Sequence, residues 1–327
     1  MPLLEIQDLT VEYHTDAGIF RAVEHLNLCL EQGKSLGLVG ESGCGKTTAM
    51  LALMRLLPDA GRIVGGKVLF EGADDEHLVD LLRLSPAQMR AYRWCKISMV
   101  FQGAMNALNP VRSVGSQIRE ALLWHKTVPR KQTQTEIARL LDLVGVLPSR
   151  ANQYPHQYSG GMRQRAMIAL ALACRPRVVI TDEPTTALDV MVQAQILDLL
   201  QELQVELNLS VIMVTHDLGV VAELCDDVLV MYGGRMAEHA DADTIFNHAA
   251  HPYTRRLLHA FPDVDAPRAK LASIPGFPPS LDNLPPGCRF EPRCELAKSA
   301  CSREIPVDVQ VAPGHRASCL LARPGEG

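Results

Sequence analysis

No stretch of this sequence approaches the roughly 18 to 20 uninterrupted apolar residues that a membrane-spanning helix requires. The longest candidate near the middle, Met167 to Cys174, amounts to about two helical turns and stops at Arg175-Pro176. The opening residues, Met1 to Asp8, lack the basic start and long apolar run of a secretory signal. These absences predict a chain that stays in the cytosol and acts on a membrane only through a partner. Positive charge is not in excess either: 32 Lys and Arg stand against 37 Asp and Glu, for a net charge of −5. Such a balance leaves no electrostatic footprint for wrapping nucleic acid. Internal repeats, low-complexity tracts and sustained heptads are absent as well.

What is present is an ordinary globular composition, 47% hydrophobic and 21% charged over 327 residues. That length suits one large domain with an appendage. Leu4 to Gln7, Leu9 to Tyr13 and Ala22 to Leu30 read as short strands, with a turn at Asp16 to Gly18. Ser35 to Val39 reads as a buried strand that runs into a glycine-rich turn and a helix over Lys46 to Leu57. From about Ser85 to Ala173 the pattern is mostly helical, and Ile137, Leu140, Leu141 and Val144 share one helical face. Val178 to Thr181 and Val211 to Thr215 suit strands of a parallel sheet, with Val190 to Leu207 as the crossover helix. Beyond Gly234 prolines crowd and long periodic runs cease. The expected division is therefore 1–234 and a loop-rich appendage over 235–327.

Gly40-Glu41-Ser42-Gly43-Cys44-Gly45-Lys46-Thr47 matches the phosphate-loop pattern G-x-x-x-x-G-K-[ST], between a strand and a helix as the pattern requires. The glycines let backbone N–H groups turn in around phosphates, and the helix start adds its positive dipole end. Lys46 is expected to reach the β- and γ-phosphates and Thr47 to hold Mg²⁺, with Thr48 completing the ATP contacts. Cys44 sits where the loop offers backbone atoms, which suggests sensitivity to thiol reagents. The apolar run Val178 to Thr181 ends in Asp182-Glu183, at the strand end where nucleotides lie in such sheets. Asp182 is the candidate Mg²⁺ ligand and Glu183 the candidate general base.

Three further pieces narrow the family. Tyr158-Ser159-Gly160-Gly161-Met162 opens a helix, Pro184 to Asp189 follows the two acids, and Val214-Thr215-His216-Asp217 ends the next strand. In order and spacing these resemble the ATP-binding cassette of ABC transporters over residues 1 to about 235. The resemblance implies an α/β P-loop NTPase fold with a mixed sheet core, an N-terminal antiparallel β subdomain and a helical subdomain over about 103–173. It implies that Gln102 is the glutamine-loop residue, near Mg²⁺ and the reaction, and that Tyr13 stacks on adenine. It also implies that His216 contacts the γ-phosphate in its own subunit. Ser159, Gly160, Gly161 and Asp189 would face the ATP held by the opposite subunit. Small residues at a helix start suit that role because they expose free N–H groups to an anion. The signature departs from the common Leu-Ser-Gly-Gly-Gln in its outer residues, Tyr158 and Met162.

His251 to Leu258, Ile274-Pro275-Gly276, Pro285-Pro286-Gly287-Cys288 and Pro292-Arg293-Cys294 resemble the extension of ATPases in the oligopeptide, dipeptide and nickel uptake group. Asn109-Pro110 is also typical of that group, whereas Gly103 departs from the acidic residue common after the glutamine. The implied complex has two membrane permeases, a second related ATPase or a copy of this chain, and a substrate-binding protein outside. It places this subunit peripherally on the cytoplasmic face of the inner membrane. Peptides are the first choice of cargo, with nickel or another small solute as the alternative.

Cys288, Cys294, Cys301 and Cys319 crowd the proline-rich end with spacings of x5, x6 and x17. In a reducing compartment four such thiols suit a metal in place of a missing core, and both a 4Fe–4S cluster and structural zinc take four cysteines. Unliganded thiols are the remaining reading, and the family resemblance favours iron–sulfur. His315 stands close by, and a solvent-facing loop histidine is the simpler reading of it. Two other classes use the same clamp: a soluble ABC ATPase of DNA repair or translation, and a metal-sensing regulator that uses ATP only to dimerise. The first normally carries two cassettes, a long coiled coil or basic arms, none of which this sequence has.

Overall fold

A computed structural model describes residues 2–16, 18–72, 77–101, 107–185, 188–260 and 274–322. The described elements begin with β1 (Leu4–Thr15), β2 (Gly18–Leu30), β3 (Ser35–Val39), α1 (Lys46–Leu53), β4 (Gly61–Glu71) and β5 (Leu78–Asp80). Next come α2 (Pro86–Tyr92), β6 (Ile97–Val100), α3 (Val114–Trp124), α4 (Thr133–Leu143), α5 (Gly160–Leu172) and β7 (Val178–Asp182). α6 (Val190–Leu207), β8 (Ser210–Thr215), α7 (Leu218–Leu224), β9 (Asp227–Tyr232) and β10 (Arg235–Asp241) follow. The last are α8 (Ala242–His248), α9 (Pro252–His259), β11 (Val309–Ala312) and β12 (His315–Ala317). The chain forms two compact units, one of residues 1–31, 35–82 and 214–327, the other of 32–34 and 83–213.

In the first unit an antiparallel sheet runs β2-β1-β4-β5. Its first strand is continuous where the sequence suggests two short ones. The break in alternation is a bulge: pairing with β2 shifts register between Ile6 and Leu9, and Asp8 there takes a φ of 54°. The bulge keeps Ile6, Leu9 and Val11 all inside, at 1% exposure or less. A second sheet of the unit runs β11-β12-β10-β9-β3. β3 and β9 pair in parallel, β9 and β10 antiparallel, so it is mixed. Leu36, Leu38, Val39 and the residues Val228 to Met231 are fully buried along it. Each such side chain contributes about 1.5–3 kcal/mol of apolar burial, so these two strands anchor the loop that follows β3.

α1 ends four residues before the expected Leu57. Arg55 adopts a left-handed φ of 51°, while its N–H donates to Ala52 O and the Leu56 N–H to Leu51 O. That pair of reverse bonds satisfies the last carbonyls and stops the helix ahead of Pro58. The appendage is also more regular than the sequence suggests. Gly233 and Gly234, at φ 54° and 85°, turn β9 directly into β10, and two helices follow before the chain becomes loop-rich.

The second unit pairs β6 with β7 in parallel, with β8 beside β7. α4 buries Ile137, Leu140 and Leu141 as their spacing predicts. α6 spans the expected residues and stops at Asn208, whose φ of 50° is left-handed. Among the described residues, no helix is long and apolar enough to cross a membrane.

Candidate nucleotide-binding site

The loop after β3 is shaped by positions where only glycine fits. Gly40 has φ 146°, and a Cβ there would lie 2.2 Å from the Met231 carbonyl oxygen. Gly45 has φ 104°, and its Cβ would lie 2.4 Å from Ala22 O. Both are backbone collisions, so the loop is pressed between β9 and β2. Gly45 is also the N-cap of α1 and offers no side-chain acceptor to the first-turn N–H groups. A helix start of that kind is an anion site. Lys46 is buried, and its Nζ donates to Gly40 O at 2.6 Å and to Glu41 O at 3.1 Å. The ammonium is thus folded into the loop, where a phosphate can replace those carbonyls. Ser42, Gly43 and Thr47 are exposed on the rim.

Cys44 is 4% exposed, and burial pushes its thiol up from the ordinary range. A buried, protonated thiol is a poor nucleophile, so the expected sensitivity to thiol reagents is not supported by the folded loop. Tyr13 is half-buried, stacks against Phe20 with ring centroids 5.7 Å apart, and pairs its hydroxyl with Thr48 Oγ1 at 3.4 Å. A cleft of about 400 Å³ opens beside the loop, lined by Phe20, Glu41 to Cys44, Tyr232, Gly233 and Pro278 to Asp282. In the same unit, β8 ends at Thr215 and exposed His216 follows. Asp217 then caps α7 through the N–H groups of Gly219 and Val220, at 3.0 and 3.3 Å.

In the second unit every residue of β7 is buried and its last, Asp182, is 3% exposed. Glu183 directly after it takes a φ of 46°. A left-handed glutamate is strained, and such strain gathers at functional positions. Ser159 is the N-cap of α5, accepting from the Met162 N–H at 3.3 Å. Asp189 is the N-cap of α6, accepting from the Val192 N–H at 3.0 Å. The two helix starts touch: a Cβ on Gly161 would lie 2.6 Å from Val192 Cγ1, and one on Gly160 would lie 3.3 Å from Leu188 Cδ2. Tyr158, which replaces the usual leucine, is 3% exposed and donates its hydroxyl to Arg150 O at 3.0 Å. Gln102 and Gly103 lie outside the described residues.

Among the described residues, no three His, Cys, Asp or Glu side chains gather at metal-binding distance. No metal site is therefore seen at the four C-terminal thiols, of which Cys301 is buried and the other three are half-buried. Burial raises Cys288 to about 11 and raises Cys294 and Cys319 as well. Cys288 also donates its N–H to Cys301 O at 2.7 Å. His315 is not the solvent-facing residue expected. It is 2% exposed and pairs its Nε2 with buried Glu238 at 2.7 Å.

Sequence reasoning missed the contacts that tie the extension to the loop. Arg293 grips Glu41 with both terminal nitrogens, at 2.6 and 3.0 Å. Arg289 binds Glu24 and Gly233 O, and Arg21 and Arg235 also bind Glu24, at 2.8 and 2.9 Å. Burial pushes Glu24 up, but the hydrogen bonds from Arg235 and Arg21 and the charge of Arg289 prevail and hold it at about 2. The arginines at 289 and 293, four positions apart, were the available signal, but nothing local names their partners.

A glycine-shaped loop that opens a helix and has a lysine folded into it has the form of a P-loop. The ABC transporter family matches residues 23–186, and the oligopeptide/dipeptide transporter C-terminal region matches 237–301. The oligopeptide transport ATP-binding protein OppD of Salmonella typhimurium is 47% identical over 97% of this chain and 93% of its own length. The dipeptide transport ATP-binding protein DppD of Bacillus subtilis is 45% identical over 98% and 94%. Among solved structures, a dimeric ATP-binding cassette in a post-hydrolysis state bound to ADP and Pi has a TM-score of 0.64 at 25% identity, covering 73% of this chain and 98% of that one. CbiO1 of Clostridium perfringens, part of the ABC transporter complex cbiONQ, has 0.63 at 27%, covering 76% and 91%. The chain belongs to the ABC transporter ATP-binding family, in the branch that carries the oligopeptide/dipeptide transporter C-terminal region, and is an ATPase with the fold expected.

Proposed function

We propose that this ATPase powers the import of peptides. The observation that carries the reading is the extension: its match to the oligopeptide/dipeptide C-terminal region lies on the same chain as a cassette whose relatives are named for peptide transport. The subunit works peripherally at the cytoplasmic face of the membrane. Its partners are two permeases and a second related ATPase or a copy of itself. Residues 1–234 form the cassette, with a helical part over about 103–173, and 235–327 form the extension.

The roles are those that the resemblance to the cassette implies, and the residue types suit them. The Gly40–Thr48 loop and Lys46 hold the phosphates, Thr47, Asp182 and Gln102 serve Mg²⁺, and Tyr13 supports the base. Glu183 takes a proton from water as its oxygen attacks the γ-phosphorus, while the bond to the bridging oxygen of the leaving ADP breaks. His216 steadies the γ-phosphate of its own subunit. Ser159, Gly160, Gly161 and Asp189 address the nucleotide of the partner, so ATP binds two cassettes together and its cleavage releases them. The four C-terminal thiols hold a metal, a 4Fe–4S cluster before zinc. What supports this is their number within the proline-rich end of the sequence and the family resemblance, since thiols become ligands once a cation removes their protons.

Glu183→Gln is expected to retain ATP binding and trap a closed pair, and Lys46→Ala to lose binding itself. Gel filtration with ATP separates the two, and equal pairing by both refutes the roles. In a reconstituted complex, ATP-dependent uptake of labelled tri- to pentapeptides supports the cargo, whereas uptake of nickel alone overturns it. Iron and sulfide near four each per anaerobically purified chain is the expected cluster analysis. A single zinc makes the site a structural staple.

A further inference from the structure

Glu41 is the one acidic residue inside the phosphate loop, a position where negative charge opposes the ligand. Its three polar groups are all engaged. The carbonyl oxygen accepts from Lys46 Nζ at 3.1 Å, and the N–H donates to the Tyr253 hydroxyl at 3.0 Å. The carboxylate takes the Arg293 fork, one oxygen per nitrogen, at 2.6 and 3.0 Å. Both clamping residues come from beyond the cassette core. Tyr253 is fully buried in α9, and the Arg293 side chain is 5% exposed.

Arg293 is itself fixed within the extension and against β9. Its Nε donates to Pro275 O at 2.8 Å, and its Nη1 to the Tyr232 hydroxyl at 3.2 Å. Its guanidinium carbon lies 5.8 Å from the centre of the Tyr232 ring. Tyr232 in turn packs on Tyr253 and Phe290, with centroids 4.5 and 5.2 Å away. An arginine this immobile gives up little entropy to grip a carboxylate, and a planar fork fixes direction as well as charge.

We propose that Arg293 is a positioning residue for ATP binding: it cancels the charge of Glu41 and fixes the start of the phosphate loop in the shape that receives a polyphosphate. Tyr253 assists by holding the Glu41 N–H. The extension is therefore part of the nucleotide site's support and not only an attachment to it. The inference rests on the reading of Gly40 to Thr48 as the ATP site, and Lys46→Ala tests that reading separately.

The experiment measures binding of a fluorescent ATP analogue and steady-state ATPase in the full-length chain at low and high salt. Arg293→Met is expected to weaken binding by about tenfold, because an uncancelled and partly exposed carboxylate then sits in the loop that receives the phosphates. The kcat at saturating ATP should stay within about twofold, since the interaction is equal in ground and transition states. High salt should shrink the defect. The double variant Glu41→Gln with Arg293→Met should return binding to within about threefold of the parent, because both charges leave together. A double variant as weak as Arg293→Met overturns the proposal, since the arginine then serves only to hold the extension. Parent-like binding by Arg293→Met overturns it too. Should that variant fail to fold, Tyr253→Phe, which removes one oxygen, is expected to weaken binding by about threefold, and no change there counts against the brace. If Lys46→Ala binds as the parent does, the ATP-site reading fails instead.

Discussion

Two loops of this protein end at the start of a helix and carry small residues there, yet they are built by different means. The phosphate loop is held by its surroundings: Gly40 and Gly45 lie against the carbonyls of Met231 and Ala22, and Glu41 is gripped from the extension. The signature turn is held from within. Ser159 caps its own helix, Tyr158 fastens the preceding turn to Arg150, and Gly161 lies against the side chain of Val192. The first loop arrives preformed within its unit. The second satisfies its own polar groups and meets only side chains, not backbone carbonyls, at its glycines. The first is thus fixed by distant parts of the chain and the second by its own neighbours.

The contrast can be broken from the rigid side first. Gly40→Ala drives a Cβ into a backbone carbonyl at a φ closed to alanine, so nucleotide binding should vanish and stability fall by about 3 kcal/mol or more. Isothermal titration and urea unfolding would check both.

Acid is the next lever, and it acts on the unit that holds the phosphate loop. Glu24 has its folded-state value depressed from 4.5 to about 2. Its contribution is complete above pH 4.5 and is lost as the pH falls toward 2, a change on the order of a few kcal/mol. The urea midpoint should fall across that window. In Glu24→Gln that slope should flatten, with stability already reduced at neutral pH because three arginines lose their partner.

On the adaptable side effects should be smaller. Ser159→Ala removes the cap of α5, worth about 1 kcal/mol, and should lower ATPase turnover without changing the affinity of the isolated chain for ATP. Gly160→Ala, facing Leu188 Cδ2 at 3.3 Å with no positive φ, should shift stability by about 0.5 kcal/mol or less. A large loss of folding in that variant would show that the signature turn is as tightly cast as the phosphate loop.

How far these features were legible in the sequence follows the range of the interactions behind them. β3 and its glycine-rich turn, the α6 span and the buried face of α4 depend on neighbours a few residues away, and periodicity and caps reveal them. The single long β1 was hidden because a bulge at Asp8 disturbs the alternation that identifies a strand. The early end of α1 depends on Arg55 taking a left-handed conformation, which its residue type does not announce. Least visible were the clamps on Glu24 and Glu41. An arginine in a proline-rich tail looks solvated until the fold supplies a carboxylate from 252 or 265 residues away. Glu41 itself reads as a variable position of a motif. Its neighbours make it a junction.

That separation has a consequence for how the protein comes into being. The residues of the phosphate loop leave the ribosome long before Arg293, 252 positions behind Glu41. A nascent or truncated chain carries the motif for ATP with its acidic residue uncancelled. Only a chain made through its extension brings Arg293 to Glu41, so the loop gains that contact among the last in synthesis.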